Sequence, residues 1–317
     1  MVSVLITGGT GFIGSYVAQE FIQAGHEVTA YDTSTDTHVL EQLGIADRIS
    51  IWRGDVTDPT DFMRAITETE ATHIVHLAAL LTSSAREQPR LAHTVNIGGT
   101  NTVFESARIL DDQIERVAWA SSAAVFAPPG NYDGWVDEDD LVYPDTLYGA
   151  TKEYNEHQAR CYHEEYGVSH VGLRPTVAYG PYRETGGSAF LANLIEKPAL
   201  GEPFSVEYGD QIIDWQYVKD IAQAFRLATL TDDSQLSRQV YNVRGECATI
   251  RDAAETVETI LPEADITVSD DGELPWTQQL DMNAIESDMG YEVTYDLERG
   301  IREYINVLRD DRGLQPV

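Results

Sequence analysis

The stretch Thr7-Gly8-Gly9-Thr10-Gly11-Phe12-Ile13-Gly14 constrains this chain more than any other. It follows a short apolar run, Val2–Thr7. It precedes Phe12–Ala24, where Ile13, Val17, Phe21 and Ile22 recur near helical spacing. A strand, a glycine turn and a helix in that order suit a phosphate group. Glycine permits the tight turn and lets the backbone approach a pyrophosphate, while the helix N-terminus supplies N–H donors and the positive end of its dipole. A glycine-rich corner holding no ligand is the alternative reading at this point.

Asp32 follows the second strand pattern, Glu27–Tyr31, and stands 18 residues after Gly14. A carboxylate there accepts hydrogen bonds from adenosine ribose hydroxyls and repels a 2′-phosphate. No arginine occurs in Tyr31-Asp32-Thr33-Ser34-Thr35, so the pattern favours NAD over NADP. A turn-capping aspartate is the other reading.

Strand and helix patterns alternate through the first half. Ile49–Arg53, His73–Leu77, Arg116–Ala120 and Ser169–Leu173 read as strands, and Thr60–Glu68, Val95–Leu110 and Tyr148–Tyr166 as helices. Strands separated by helices imply right-handed crossovers and a parallel sheet covered on both faces. The expected class is α/β: a Rossmann-type doubly wound parallel sheet with a smaller C-terminal substrate-binding lobe. After about Pro175 the elements shorten and Pro, Gly and aromatic residues increase. Glu207–Asp220 and Gln239–Val243 are expected to rejoin the main sheet. This gives an NAD-binding domain of residues 1–175 plus 207–243, and a cap lobe of 176–206 plus 244–317. A ligand crevice is expected between them, beyond the carboxyl ends of the strands.

A second constellation is Ser121-Ser122, followed by Tyr148-Gly149-Ala150-Thr151-Lys152. Tyr and Lys four apart share a helix face. An ammonium near a phenol favours the phenolate and is expected to lower its pKa. The tyrosine then exchanges a proton with a substrate hydroxyl while hydride moves to or from a nicotinamide. A serine at the preceding strand end holds the same oxygen.

Charge excludes some classes. The chain of 317 residues carries 53 Asp plus Glu against 21 Lys plus Arg, a net charge of −32, and its three lysines are Lys152, Lys197 and Lys219. Nucleic-acid phosphates are repelled by such a surface. Carboxylates spread along the whole chain suit a high-salt cytoplasm, where salt screens their repulsion, with a merely acidic, soluble protein as the other reading. No apolar run approaches the roughly 20 residues that span a bilayer. Met1-Val2-Ser3-Val4-Leu5-Ile6 has no basic region before it and reads as a first strand rather than a signal peptide. A cytoplasmic protein is expected, with Cys161 and Cys247 as buried thiols. The eight histidines form no ligand cluster, so no metal site is expected.

These motifs, with Gly54–Asp58 (GDVTD), His76–Leu80 (HLAAL), 95–100 (VNIGGT), 173–181 (LRPTVAYGP), 214–220 (DWQYVKD) and 281–291 (DMNAIESDMGY), give a chain that resembles the extended short-chain dehydrogenase/reductase family. That family is also called the NAD-dependent epimerase/dehydratase family, and the likeness covers nearly the whole length. The resemblance implies NAD as cofactor. It implies contacts from Gly8, Gly11, Phe12, Ile13 and Gly14 in the glycine turn, and from Asp32, Asp55, Val56, Leu77, Ala78 and Ala79 on the adenosine side. It places Asn96, Tyr148, Lys152 and Pro175 near the nicotinamide half. Tyr148 is the implied acid/base, with Lys152 also on the nicotinamide ribose and Ser122 orienting the substrate oxygen. A homodimer packed through Tyr148–Tyr166 and roughly Gln88–Leu110 is also implied.

The departures narrow the chemistry. Dehydratases of the family carry an Asp-Glu pair after the catalytic Ser/Thr, whereas this chain has Ala123-Ala124. Where nucleotide-sugar enzymes place an asparagine and two arginines, this chain has Val177, Ile213 and Asp270. The expected substrate is therefore small, and 188–201 resembles the cap segment of dehydrogenases for small sugar acids. Thr82, Ser83, Ala123 and Arg183 are the candidate substrate contacts. Thr82, Ser83 and Ser84 are alternatively helix caps, and Arg183 alternatively a surface residue. Arg174 reads as a structural ion pair, and Trp215 and Tyr217 as lobe packing. The expected function is NAD-dependent hydride transfer at a secondary alcohol or carbonyl of a small carbohydrate or hydroxy acid. The alternative is a UDP-glucose type 4-epimerase with tightly bound NAD.

Overall fold

The computed structural model describes residues 1–183, 186 and 188–317. Among these residues, seven strands form the main sheet: β1 (Ser3–Thr7), β2 (Glu27–Asp32), β3 (Ser50–Arg53), β4 (His73–His76), β5 (Arg116–Ala120), β6 (His170–Pro175) and, far along the chain, Val240–Val243. Their spatial order is β3-β2-β1-β4-β5-β6 with Val240–Val243 outermost, and every pairing is parallel.

Alternation along the strands divides the core between the two faces. Val4, Ile6, Val75 and Ala118 point to one face, under the helices Phe12–Gln23 and Val218–Leu230, with Val17, Phe21, Ile221 and Phe225. Leu5, Ile74, Val117 and Trp119 point to the other, against Phe62, Ile66, Val103 and Phe104. An ion pair of 2.7 Å between Arg226 and Glu20 links the helices Phe12–Gln23 and Val218–Leu230. Beyond β1 the chain turns towards β2, and beyond β4 towards β5. Adjacent connections diverging in this way open a crevice at the carboxyl ends of β1 and β4.

A second core has its own sheets. It contains β7 (Val177–Tyr179), β8 (Phe204–Val206) and β9 (Ile212–Tyr217). The strand Val240–Val243 is therefore β10, and it is followed by β11 (Glu246–Thr249) and β12 (Ile266–Val268). β9 runs parallel to β7 and antiparallel to β11, while β8 pairs with β12. Leu194, Ile195, Ile213, Trp215, Tyr217, Val257, Ile301 and Tyr304 fill this core.

Two expectations need correction here. Gln239–Val243 does rejoin the main sheet, but Glu207–Asp220 does not. Its strand β9 buries Ile213, Trp215 and Tyr217 in the second core, and only from Val218 onward does the chain return, as a helix, to the first. Cys161 is also exposed rather than buried; Cys247 is half-buried, its thiol donating to Asp214 Oδ1 over 2.9 Å. Among the described residues, no helix is long and apolar enough to cross a membrane.

Candidate active site

The glycine turn closes tightly on itself. Gly8 has φ +69°, and its N–H donates to the Tyr31 carbonyl over 2.9 Å. A methyl group on Gly8 would lie 3.0 Å from the Ala78 nitrogen, and one on Gly14 would collide with the Gly8 carbonyl oxygen. The N-cap of the following helix is Gly11, which has no side chain to spend on the first turn. The leading N–H groups of that helix, at Phe12, Ile13 and Gly14, have no carbonyl one turn earlier within the helix. The residues present therefore fit a pyrophosphate: backbone donors, a positive helix end and no Cβ in the way.

Asp32 lies at the tip of β2 beside this turn. Its Oδ2 accepts from Thr10 N over 3.2 Å and its Oδ1 from Ser34 N over 3.1 Å. Two backbone bonds orient the carboxylate and leave it acceptor capacity for ribose hydroxyls. The capping and ribose-binding readings are thus compatible. Asp55 accepts from the nitrogen and hydroxyl of Thr57, while its own carbonyl receives the Tyr31 hydroxyl over 2.9 Å. Val56 is buried and packs against Gly99, where a methyl would fall 2.6 Å from Val56 Cγ2.

A buried polar network underlies the crevice. Thr7 Oγ1 accepts from Leu77 N and Ala78 N, and contacts His76 Nδ1 at 2.7 Å. His76 Nε2 meets Thr100 Oγ1 at 3.0 Å. Asn96 is fully buried. Its Oδ1 accepts from Leu80 N, and its Nδ2 donates to Leu80 O and to Thr151 Oγ1. It sits in a wide π-helical turn, His93–Gly99, which occupies the start of the helix expected over Val95–Leu110; the α-helix itself runs over Thr100–Ile109. The expectation put Asn96 near a nicotinamide. The structure shows its carboxamide fastening the loop after β4 to the helix that bears Tyr148.

Ser122, Tyr148 and Lys152 come together beyond β5. Thr146 caps the helix Leu147–Tyr166, its Oγ1 accepting from Gly149 N over 3.0 Å. A methyl on Gly149 would strike the Ala124 carbonyl, so glycine lets the helix start dock on the turn after Ser122. Ser122 Oγ accepts from Ala124 N over 3.1 Å, and its hydroxyl also meets the Tyr148 phenol. One helical turn on, Lys152 Nζ donates to the Ala120 carbonyl over 2.6 Å and lies 5.6 Å from the Tyr148 ring centroid.

The electrostatics differ from the expectation. Burial pushes the Tyr148 phenol up to about 12, and the Ser122 hydrogen bond draws it back in part. Burial also pulls Lys152 down to about 8, opposed by the charge of Glu156. Desolvation therefore sets the sign of the phenol's shift, and the partial relief comes from Ser122 rather than from the expected lysine. His76 is held neutral, pushed down to about 3 by burial and by Lys152.

The candidate substrate residues are less closely grouped. Thr82 and Ser83 occupy the first turn of a short helix whose N-cap is Leu81, so neither is the cap. Ala123 follows Ser122 in a single 3₁₀ turn. Arg183 turns inward, donating to the Ala178 carbonyl and, over 2.8 Å, to Ser188 Oγ. Burial lowers its pKa to about 10. Pro175 ends β6, and Arg174 before it forms the expected ion pair, with Glu156. Val177 and Ile213 are core residues. Asp270 is paired with Arg251 at 2.5 Å, an arginine it shares with Asp210 at 3.2 Å. Trp215 and Tyr217 pack edge-on against Tyr179 at 5.8 and 5.2 Å, inside the second core.

A model of the NAD dependent epimerase/dehydratase family matches residues 4–243. A putative UDP-glucose 4-epimerase of Methanocaldococcus jannaschii is 26% identical, covering 97% of this chain and 99% of that one. The UDP-glucose 4-epimerase of Thermus thermophilus, solved in complex with NAD, superposes with a TM-score of 0.81 at 25% identity, over 97% of this chain and 99% of the other. L-threonine dehydrogenase from Clostridium difficile superposes with a TM-score of 0.88 at 22% identity, over 98% of both chains, a likeness of fold.

Proposed function

Because the chain belongs to the NAD dependent epimerase/dehydratase family and is thereby an NAD-dependent enzyme, we propose that it oxidises or reduces a secondary alcohol or carbonyl of a small carbohydrate or hydroxy acid. One observation carries this reading. Ser122, Tyr148 and Lys152 converge beyond β5, and the turn that follows Ser122 offers Ala123 and Ala124 instead of carboxylates. Such a site has one proton-transferring group at the substrate oxygen and none for elimination.

When bound, the nicotinamide supplies the hydride acceptor or donor. The chain's own residues do the rest. Tyr148 holds or receives the proton of the substrate hydroxyl at its phenolic oxygen, and Ser122 orients that oxygen. Lys152, as an ammonium, favours the phenolate. Gly8, Gly11, Phe12, Ile13 and Gly14 would hold the pyrophosphate, with Asp32 on the adenosine ribose and Asp55, Val56, Leu77, Ala78 and Ala79 around it. Thr82, Ser83, Ala123 and Arg183 are the proposed substrate contacts, Arg183 as a partner for a carboxylate. A homodimer would bury Leu91, Ile109, Tyr154 and Tyr166, which are exposed on the two helical segments that form its interface in this proposal.

A nucleotide-sugar 4-epimerase is the second reading. The names of sequence relatives favour it. So does a cavity of about 430 Å³ lined by Phe190, Phe204, Val206 and Tyr208 and equally by Ser205, Glu207, Thr267 and Ser269, where aromatic rings beside polar groups suit a flat base.

The test adds NAD and a panel of sugars, aldonates, uronates and polyols in molar KCl, and follows reduced nicotinamide. Net reduction with one of them supports the dehydrogenase. No reduction, together with interconversion of a UDP-sugar by non-exchanging NAD, gives the epimerase.

A further inference from the structure

We propose that Glu156 is a positioning residue that governs the charge of Lys152 and ties that lysine to the strand ends flanking the site. The residues Tyr148, Lys152 and Glu156 are spaced by four along one helix, so they share a face. Glu156 reaches two other elements. Its Oε1 accepts from Ser121 Oγ over 2.5 Å and from Arg174 Nε over 2.8 Å, and its Oε2 accepts from Arg174 Nη2 over 2.7 Å. Ser121 precedes Ser122 at the end of β5, and Arg174 precedes Pro175 at the end of β6. One carboxylate therefore joins the Tyr148 helix to both.

The pair is deeply placed: the side chains of Arg174 and Glu156 retain 5% and 12% of their exposure. Arg174 also lies 4.8 Å from the Phe126 ring and donates to the Glu138 carbonyl. An apolar contact would join these three elements without the cost of desolvating two charges. What a charged joint adds is its field at Lys152, one helical turn away.

Among the described residues, the groups around Lys152 include the Ala120 carbonyl, the Tyr148 ring, His76 from β4, Glu156 and, beyond Glu156, Arg174. His76 contributes no charge, since burial keeps it neutral and Thr7 and Thr100 occupy both ring nitrogens. Glu156 is the anion acting on the ammonium, and Arg174 offsets part of its field. Removing the carboxylate charge and removing the guanidinium must then move Lys152 in opposite directions.

This inference rests on the reading of Lys152 as the partner of Tyr148, but its test uses neither cofactor nor substrate. The three lysines, Lys152, Lys197 and Lys219, make side-chain titration tractable. The full chain is labelled with ¹³C-lysine, the ε-carbon signals are followed against pH at fixed salt, and Lys197→Arg and Lys219→Arg assign them. Glu156→Gln should lower the Lys152 midpoint by about one pH unit or more, the order expected of a unit charge one helical turn away. Arg174→Met should raise it, and the double variant should return towards the wild type. Glu156→Asp keeps the charge but withdraws it by one methylene, and should give a smaller fall. This second variant decides the matter where Glu156→Gln does not fold. Folded variants whose Lys152 midpoint does not move, or moves the same way for Glu156→Gln and Arg174→Met, would overturn the proposal. Retained turnover in Tyr148→Phe would instead overturn the reading of the site, leaving the titration result intact.

Discussion

Lys152 Nζ donates to the carbonyl oxygen of Ala120 over 2.6 Å, fixing the ammonium at the carboxyl end of β5. The lysine is almost wholly buried, and its charge is there at a cost in desolvation. Lys152→Met keeps the volume and removes both the donor and the charge. It is expected to lower kcat/KM by about 10²-fold or more, within the range for loss of acid–base assistance. Steady-state rates on the substrate found by the panel check this. Far-UV circular dichroism should show an unchanged fold.

Gly14 has no space for a side chain, because a methyl there meets the Gly8 carbonyl oxygen. Gly14→Ala must open the turn that presents the first N–H groups of the helix Phe12–Gln23. The expected outcome is a stability loss of about 1–3 kcal/mol from overpacking, with NAD affinity falling further than stability alone explains. Urea unfolding and NAD titration measure the two effects separately.

His76 predicts an acid limb in stability. Its folded value is about 3, against an ordinary 6.5. Between these, the unfolded chain binds a proton that the folded chain does not. Stability is therefore full above about 6.5 and falls as pH drops through the window. From about pH 6.5 to about pH 5 the loss attributable to His76 is about 1.5 kcal/mol. Asp220, pushed up to about 6 by burial, works in the opposite sense. The measure is therefore the difference in slope between wild type and His76→Asn, by urea unfolding across that range. The variant should be less stable at pH 7 but lose less on acidification.

The carboxylate excess predicts salt dependence. With 53 acidic against 21 basic side chains, and runs such as Asp137-Glu138-Asp139-Asp140, self-repulsion is large at low ionic strength. The thermal midpoint should rise steadily from millimolar to molar KCl as that repulsion is screened. A midpoint independent of salt would contradict this reading.

Local pattern revealed the first half of the fold because its elements are self-contained. Val2–Thr7, the glycine turn and Phe12–Ala24 carry their own periodicity, and β1 and the helix Phe12–Gln23 follow it within a residue or so. The misplaced strand, β9, pairs with the three-residue β7 and with β11. Its partners are chosen by tertiary contact, and its burial of Ile213, Trp215 and Tyr217 on one side resembles that of a main-sheet strand. In the site, the types and spacing of Tyr148 and Lys152 were legible. The sign of the phenol's shift was not, since it depends on burial. Glu156 was missed although its spacing of four from Lys152 was in plain view, because its partners Ser121 and Arg174 come from two other elements. Asn96 was singled out, but its bonds to Leu80 and Thr151 depend on the π-helical turn that no local pattern announced.

The central claim is that Tyr148 transfers the substrate proton at a site that holds NAD independently of it. The most direct measurement compares wild type and Tyr148→Phe for NAD affinity and for single-turnover reduction of the nicotinamide. The account predicts unchanged affinity and a rate lower by about 10²- to 10⁴-fold. A Tyr148→Phe chain that binds NAD and reduces it at the wild-type rate would contradict it.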